Sequence, residues 1–474
     1  MTYPRTFASG GIYLIFGCFS LLVCRQIAAT FADAAPEWIS PTILGLGFFS
    51  LTLLRPGAGL LGYCALVPTI SGLEKTSIYT FSAPANFALC AVFLAWILRR
   101  SRSIPRLCES VGHYILPLAL LSTIAFTSLV LNLQQSRQLF SSSIWIICEF
   151  GFEDPRFALM ASFLLIGGIA FGLMLSLEFG SGLTLVQYMP AIFRLWFVEL
   201  VAFAVIQLSA QLPPPSPAFA VNSPFQDIHS FGSFAVMLFA YFMCSAIAAT
   251  RCAERIIAGA TAILSFGLCI ASYSRITWIV TAIICISTAI FRARPLYVIA
   301  AVAGTVAVLL PIAAFPEPSV VLRNSYSHRL WTAVNIRALY QGESLRRNYF
   351  SRALVMMRTH PIAGTGVGSF RRVSNNFAAA TAQGADEHEF AHNIFLQIGA
   401  ELGIPALALF VVLLWQAKPY LEATLRGAAA AGFLAYLATQ LTANSLLIFP
   451  PQPILFWLLI AALASSIPAA ASPI

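Results

Sequence analysis

The sequence FALMASFLLIGGIAFGLML, residues 157–175, contains nineteen consecutive residues without a charge. A helix needs about 20 predominantly apolar residues to cross the hydrocarbon core of a bilayer, so this stretch predicts a transmembrane helix. Similar stretches recur along nearly the whole chain, which predicts an all-α polytopic membrane protein with 12–14 transmembrane helices. The second and third stretches are short, and a single re-entrant hairpin is the alternative for that pair. The candidate spans are 10–24, 41–54, 58–72, 84–98, 111–131, 157–175, 188–208, 232–249, 256–273, 276–292, 296–314, 392–415, 428–446 and 452–468.

The amino-acid composition excludes a soluble globule. Of the 474 residues, 59% are hydrophobic and 9% are charged, whereas about 25% of the residues in a typical soluble domain are charged. The ten cysteines form no C-x-x-C pair and are interpreted as small hydrophobic residues, without metal or disulfide roles. The first apolar stretch lacks a small-residue cleavage site and is expected to be the first span rather than a signal peptide.

Basic residues in the short connections predict the orientation of the chain. With a cytoplasmic N-terminus, the inside connections hold the basic residues at 55, 99–106, 251–255, 292–294 and 418–426. The long polar connection 316–391 then lies on the extracytoplasmic side. The chain is therefore expected to comprise an N-terminal transmembrane bundle (1–315), this loop (316–391) and C-terminal transmembrane helices (392–474).

The 316–391 loop is rich in arginine and has no lysine. A guanidinium binds phosphate oxygens through two parallel hydrogen bonds and stays charged at any relevant pH, so the loop suggests a site for a diphosphate or similar polyanion. A solvated basic face, or contact with anionic lipid head groups, is the alternative. The nine arginines are at positions 323, 329, 337, 346, 347, 352, 358, 371 and 372.

A helix is predicted from Leu345 to Arg358, because apolar residues recur there at helical spacing and Ser344 is a suitable N-cap. On such a helix Arg347 and Arg358 lie about 20° apart on one face. Both side chains would then be presented to the same ligand.

Three glycines follow this helix, after Pro361, in the sequence PIAGTGVGSF. No Gly-Lys-Ser/Thr is present, so this is no Walker loop. The glycines either expose backbone N–H groups to a phosphate or form a tight turn after the helix. They are Gly364, Gly366 and Gly368.

Two further features are predicted on the same side of the membrane. Arg275, in ASYSRITW (271–278), lies where one span emerges and the next re-enters, and an arginine there is costly unless it meets an anion or water. His388 and His392 are four residues apart and would share a helical face if the following span begins early. Histidine is a natural general base near neutral pH, although an idle interfacial histidine is the alternative.

A few polar residues lie within the predicted spans. Such residues either mark a functional path or pair across helices. They are Arg194, Glu199, Glu401, Gln440 and Asn444.

Four motifs in this order resemble the O-antigen ligase/polymerase family. They are SYSR (272–275), RR (346–347), HPIAGTGVGSF (360–370) and HNIFLQIGAELG (392–403). Each is loose alone, and together they cover roughly residues 270–410. The chain departs from the family in two respects: the loop arginine maps to Arg346 or to Arg347, and the predicted span count exceeds the usual twelve.

The resemblance implies a glycosyltransferase-C-like fold in the bacterial inner membrane, with 316–391 as a periplasmic catalytic loop that contains short helices. It implies transfer of saccharide from an undecaprenyl-diphosphate-linked donor. The acceptor is either lipid A-core, for an O-antigen ligase, or a growing polysaccharide, for an O-antigen or exopolysaccharide polymerase. Membrane lipids are the other expected partners, and nucleic acid is not one.

The resemblance also assigns roles to residues. Arg275 and Arg347 would stabilise the charge that develops on the diphosphate, and His392 would bind the diphosphate or deprotonate the acceptor hydroxyl. No Asp-x-Asp pair exists in the chain, and arginines can replace a divalent cation, so neither a metal nor another cofactor is expected. The remaining diphosphate-binding candidates are Arg346, Arg358, Gly366, Gly368 and His388.

Two other functions compete with this one. A transporter or flippase for a lipid-linked anionic saccharide would place its ionisable residues near the midplane and carry internal repeats. This chain shows no evident repeat and concentrates its charge in a loop, which favours the enzyme. An assembly protein without activity would instead use the loop as a docking surface.

Overall fold

The computed structural model describes residues 12–20, 39–72, 84–104, 112–135, 156–179, 184–210, 228–272, 274–292, 336–377, 390–424, 428–441 and 451–464. Within these ranges the regular structure is helical and contains no strand. The α-helices are α1 (12–20), α2 (Ile39–Leu54), α3 (Pro56–Gly72), α4 (Pro84–Arg100), α5 (Gly112–Gln135), α6 (Arg156–Phe179), α7 (Thr184–Ala210), α8 (Ile228–Ala248), α9 (Cys252–Ala271), α10 (Arg275–Arg292), α11 (Ile336–Thr359), α12 (Phe370–Val373), α13 (Ile394–Thr424), α14 (Ala428–Thr439) and α15 (Pro451–Ala464).

Five of the described helices are long and apolar enough to cross a membrane. They contain the segments Ala158–Phe179, Gln187–Gln207, His229–Ala248, Cys252–Ala271 and Ile394–Gln416. Shorter apolar segments lie in α2, α5, α10 and α14. The predicted all-α, multi-pass membrane architecture is confirmed. The count of 12–14 spans includes stretches outside the described residues and stays a prediction, as does the glycosyltransferase-C-like topology.

The chain forms two compact units. Unit 1 comprises Met1–Trp196, Tyr349–Thr424 and Asn444–Ile474, and unit 2 comprises Phe197–Asn348 and Leu425–Ala443. The boundary falls inside α11, so the 316–391 loop contributes to both units. The division at 315 and 391 describes the predicted topology along the chain, which stays a prediction.

Helix α6 is the centre of unit 1, since its whole apolar segment is buried. Gly168 and Gly172 allow Trp457 of α15 to approach: a Cβ at these positions would lie 2.7 and 2.9 Å from the indole side chain. On another side of α6, Phe19 packs edge-on against Phe93, with ring centroids 4.7 Å apart, and also contacts the ring of Phe163. These contacts bury a continuous apolar core.

One end of unit 1 brings together three helix ends. Arg100, at the end of α4, donates to Glu178, near the end of α6, with an N–O distance of 2.6 Å. Gly57, at the start of α3, lies against Phe179. The predicted topology places Arg55, which precedes α3, on the cytoplasmic side. It places the connections after α4 and α6 on the same side. The three helix ends that meet here are therefore ones that the prediction assigns to one side of the membrane.

Unit 2 contains α8, α9, α10 and α14. Helices α8 and α9 form a hairpin, and α14 packs along α8 with Gly432 against Met237. Near the end of α14, the hydroxyl of Thr439 lies 2.8 Å from that of Ser233. Such a bond joins neighbouring helices where no water is present.

Candidate active site

Arg275 is the first residue of α10. The turn before it is short, because α9 ends at Ala271. Two contacts close this turn: Trp278 donates its indole N–H to the Cys269 carbonyl at 3.0 Å, and the Ser274 hydroxyl lies 3.2 Å from His229 Nδ1. The position of Arg275 between two helices is confirmed. The positive end of the α10 dipole adds to the guanidinium charge, so this helix terminus favours an anion.

Helix α11 carries the three candidate arginines of the loop. It begins at Ile336, eight residues before Ser344, so the prediction that Ser344 caps this helix is wrong. The preceding residues include strong helix formers and no proline, and the helix continues through them. Arg347 and Arg358 are exposed, and Arg346 is half-buried. Arg346 and Arg347 belong to unit 2 with Arg275, whereas Arg358 belongs to unit 1.

The glycine-rich turn docks on Glu401 of α13. The Gly366 N–H donates to the Glu401 backbone carbonyl at 2.8 Å, and the Gly368 N–H donates to the Glu401 carboxylate at 2.8 Å. The Phe370 N–H donates to the other carboxylate oxygen at 3.0 Å. The predicted tight turn is therefore present. We correct the expectation that Gly366 and Gly368 offer their N–H groups to a phosphate, because Glu401 already accepts both.

The docking is reciprocal. Gly403 interrupts α13 with a φ of 86°, and the Ile404 N–H after it donates to the Pro361 carbonyl at 2.8 Å. Gly364 has a φ of 66°, and a Cβ there would lie 2.3 Å from the Glu401 backbone. Glycine is required at both positions, because residues with side chains rarely adopt these φ values and because the two backbones approach each other closely. Backbone contacts from both sides therefore join the turn to the kink in α13.

His392 lies between this turn and the start of α13 in a constrained backbone. Its φ is +49°, which is uncommon for a residue other than glycine. Asn393 caps α13 by accepting the N–H groups of Phe395 and Leu396 at 3.0 and 3.1 Å. Strained conformations of this kind occur preferentially at functional sites. Because α13 begins at Ile394, His392 is not on a helical face shared with His388, and His388 lies outside the described residues.

A buried hydrogen-bond chain connects His392 to the turn. The Ala391 N–H donates to Gln397 Oε1 at 3.0 Å, and Gln397 Nε2 donates to the Glu401 carboxylate at 2.5 Å. Gln397 and Glu401 are both almost fully buried. Their side chains therefore fix the backbone on the N-terminal side of His392 to the same carboxylate that holds the turn.

Sequence reasoning missed three residues of this site. The sequence places Glu401 in a predicted span and in the motif HNIFLQIGAELG, but it does not predict that Glu401 holds the turn. The ring centroids of Tyr349 and His392 lie 5.8 Å apart, and the Arg352 guanidinium lies 5.8 Å from the Tyr349 centroid. A signal was available for Arg352, because its position falls on the apolar stripe of the predicted helix.

The polar residues of the spans have different environments. Glu401 and Gln440 form hydrogen bonds within the protein, Glu199 is buried and Arg194 is exposed. Asn444 lies outside the described residues. Across the residues with described coordinates, no group of three His, Cys, Asp or Glu side chains could hold a metal ion.

Comparison with known families matches residues 260–411 to the family model described as O-Antigen ligase. The matched segment begins in α9 and ends in α13, and it includes Arg275, the loop arginines, the glycine-rich turn and His392. No curated protein matches the chain. The resemblance carried by the four sequence motifs is confirmed.

Proposed function

We propose that this multi-pass membrane protein, whose residues 260–411 match the O-Antigen ligase family model, transfers saccharide from an undecaprenyl-diphosphate-linked donor to a sugar hydroxyl at the periplasmic face. The family match supports glycosyl transfer of the ligase or polymerase type in general. The observation that carries the finer proposal is that the match encloses Arg275, Arg347 and His392, the residue types that departure of a diphosphate requires.

In the proposed reaction, the acceptor hydroxyl oxygen attacks the anomeric carbon, and the bond from that carbon to the diphosphate oxygen breaks. Negative charge grows on the departing diphosphate. Arg275, at the positive end of α10, would stabilise that charge more in the transition state than in the ground state. Arg347, or Arg346 beside it, and Arg358 would supply further charge-assisted hydrogen bonds from α11.

His392 would take the proton of the acceptor hydroxyl or bind the diphosphate. A general base must be held within hydrogen-bond reach of the proton that it accepts. The Asn393 cap and the Ala391–Gln397 bond supply this fixation on both sides of His392. This geometry supports a role that depends on the precise position of His392.

The same contacts favour an enzyme over a flippase. A transport path needs ionisable residues that are available near the midplane, whereas the Glu401 carboxylate already accepts from Gly368, Phe370 and Gln397. The direct test is transfer by the purified protein with lipid-linked oligosaccharide as donor. Deletion of the gene separates the branches: finished polymer on the carrier indicates a lost ligase, and single repeat units indicate a lost polymerase.

The 316–391 loop is expected to face the periplasm, because the arginine-rich short connections alternate with it. Alkaline phosphatase fused after residue 380 should be active, and a reporter that works only in the cytoplasm should be silent there. Fusion at residue 103, after the Arg100 end of α4, is the matched control and should give the opposite result. The reverse pattern at both positions would refute the topology and the mechanism together.

Transfer is expected to need no divalent metal, because arginines would neutralise the diphosphate. In excess EDTA, the purified protein with lipid-linked donor should keep its transfer rate within about twofold. A tenfold loss of rate would mean that the activation barrier had risen by about 1.4 kcal/mol. A metal-dependent glycosyltransferase assayed in the same buffer is the control. Activity that EDTA removes and magnesium or manganese restores would contradict the arginine-based mechanism.

A further inference from the structure

Arg352 is a buried charge in the core of the loop. Only 4% of its surface is exposed. It lies on the face of α11 between Tyr349 and Met356, beside a small apolar cluster. The cluster contains Ala353, Met356, Phe370, Ala391 and Ala400. An arginine in such surroundings requires compensation, because burying an unpaired charge is costly.

Its contacts with the described residues leave the charge of Arg352 uncompensated. Nη1 donates to the neutral side-chain carbonyl of Asn375 at 2.5 Å, and the guanidinium lies over the Tyr349 ring. Nε is buried and has no acceptor in the described part of the chain, where no carboxylate forms an ion pair with Arg352. Nε belongs to the edge of the guanidinium that, together with Nη2, binds a phosphate or carboxylate bidentately.

Arg352 and the proposed catalytic histidine have an aromatic neighbour in common. The rings of Tyr349 and His392 have centroids 5.8 Å apart, and the Arg352 guanidinium lies 5.8 Å from the same Tyr349 centroid. Arg352 and His392 therefore contact one aromatic ring within unit 1. An anion held by Arg352 would bind in the part of unit 1 that also contains His392.

We propose that Arg352 is a phosphate-binding residue of the site and holds one phosphate of the lipid diphosphate beside His392. The identity of the anion rests on the proposed function. Asn375 and Tyr349 fix the guanidinium plane, and the phosphate supplies the negative charge that its described neighbours lack. Arg352 thereby acts from within the fold, in contrast to Arg347 and Arg358, which are exposed on the same helix.

The probe is inorganic pyrophosphate, titrated into the purified full-length protein by calorimetry. Arg352→Met and Arg352→Lys should each weaken its binding, by about 10- to 100-fold for methionine, the range expected for loss of hydrogen bonds to a charged group. Lysine should recover only part of the loss, because it lacks the fork. Arg372→Gln is the control, since it removes one arginine of the same loop that the mechanism does not use, and should bind as the wild type does.

Thermal unfolding tests whether a variant binds pyrophosphate more weakly only because it is unfolded. Without pyrophosphate, Arg352→Met should unfold at the wild-type temperature or above it, because an apolar side chain replaces a buried charge that has no counter-ion among the described residues. The wild type should gain stability when pyrophosphate is added and the variant should not. An Arg352→Met variant that unfolds much earlier, or that binds pyrophosphate as the wild type does, would overturn the proposal.

Two more measurements identify the source of the phosphate. In nanodiscs, phosphatidylglycerol should not compete with pyrophosphate; competition would assign the site to a lipid head group and overturn its assignment to the donor. The assay with lipid-linked donor separates the two proposals. If pyrophosphate binding depends on Arg352 but the protein transfers no saccharide, the proposed function alone is refuted. If the protein transfers saccharide normally but pyrophosphate binding does not depend on Arg352, the phosphate site alone is refuted.

Discussion

Replacement of Arg275 by alanine is expected to slow saccharide transfer by about 10²–10³-fold, the loss seen when one preorganised stabilising group is removed from an active site. Arg275 begins α10 at a turn that Trp278 and the His229–Ser274 contact close. Its backbone is therefore held at the turn between α9 and α10. The diphosphate of the proposed donor would also lie at the membrane edge, because its polyprenyl tail would be held in lipid.

Arg275→Lys distinguishes catalysis from anchoring. Lysine keeps the charge and loses the planar fork, so most of the rate should be lost if Arg275 binds the diphosphate with two aligned hydrogen bonds. If Arg275 only anchors the helix end at the interface, lysine should serve nearly as well. The measurement is the transfer rate at matched membrane expression, and a near-normal Arg275→Lys rate would favour anchoring.

Arg251 provides a matched control for Arg275. It precedes α9, at the end of that helix away from the turn that leads to Arg275, and its side chain is exposed. Arg251→Ala removes the same charge from the same hairpin without touching the turn at Ser274. Its transfer rate should stay close to that of the wild type. A comparable loss in both variants would indicate a general effect on insertion and would contradict the specific role of Arg275.

The sequence was informative where the structure depends on local pattern. Apolar stretches of transmembrane length correspond to α6, α7, α8, α9 and α13, because lipid imposes the same length and polarity on every span. The position of Arg275 followed from the same pattern, since it falls where one apolar stretch ends and the next begins. The direction of these helices relative to the membrane rests on the basic residues of the connections and stays a prediction.

Sequence reasoning did less well where contacts join distant segments. Gly368 and Glu401 are 33 residues apart, and no periodicity predicts that a carboxylate within a span will accept the N–H groups of a loop. The glycines were therefore compatible with a phosphate cradle as well as with a tight turn. The structure distinguishes the two, because the glycines have positive φ angles and α13 is interrupted at Gly403, where the turn docks.

The start of α11 shows a different limit. Ser344 has a favourable residue type for an N-cap, but the residues before it are also compatible with a helix, and the chain continues through it. Arg352 was counted as one of nine loop arginines because composition does not distinguish a buried guanidinium from an exposed one. Its place on the apolar face of α11 was visible in the sequence, and its contact with Asn375 was not.

Glu401→Ala is expected to undo the docking of the glycine-rich turn. It leaves the N–H groups of Gly368 and Phe370 and the amide of Gln397 without their common acceptor in a buried environment. Each unsatisfied buried donor costs about 1–3 kcal/mol, so the turn should be destabilised by about 3 kcal/mol or more. Transfer should be lost with it, because Ala391 and His392 depend on Gln397 for their position.

Glu401→Gln should destabilise the turn less than Glu401→Ala does, and Glu178→Gln is the control. The glutamine side chain of Glu401→Gln keeps one acceptor oxygen and turns an N–H₂ group toward a donor, so the loss of turn stability should be intermediate. Glu178→Gln removes a carboxylate from the other end of unit 1, where it contacts Arg100, and should leave the loop intact. Limited proteolysis within residues 360–392 should then be fast for Glu401→Ala, slower for Glu401→Gln, and as slow in Glu178→Gln as in the wild type. If Glu401→Ala resists the protease and transfers at the normal rate, Glu401 does not hold the turn and His392 is positioned by other contacts.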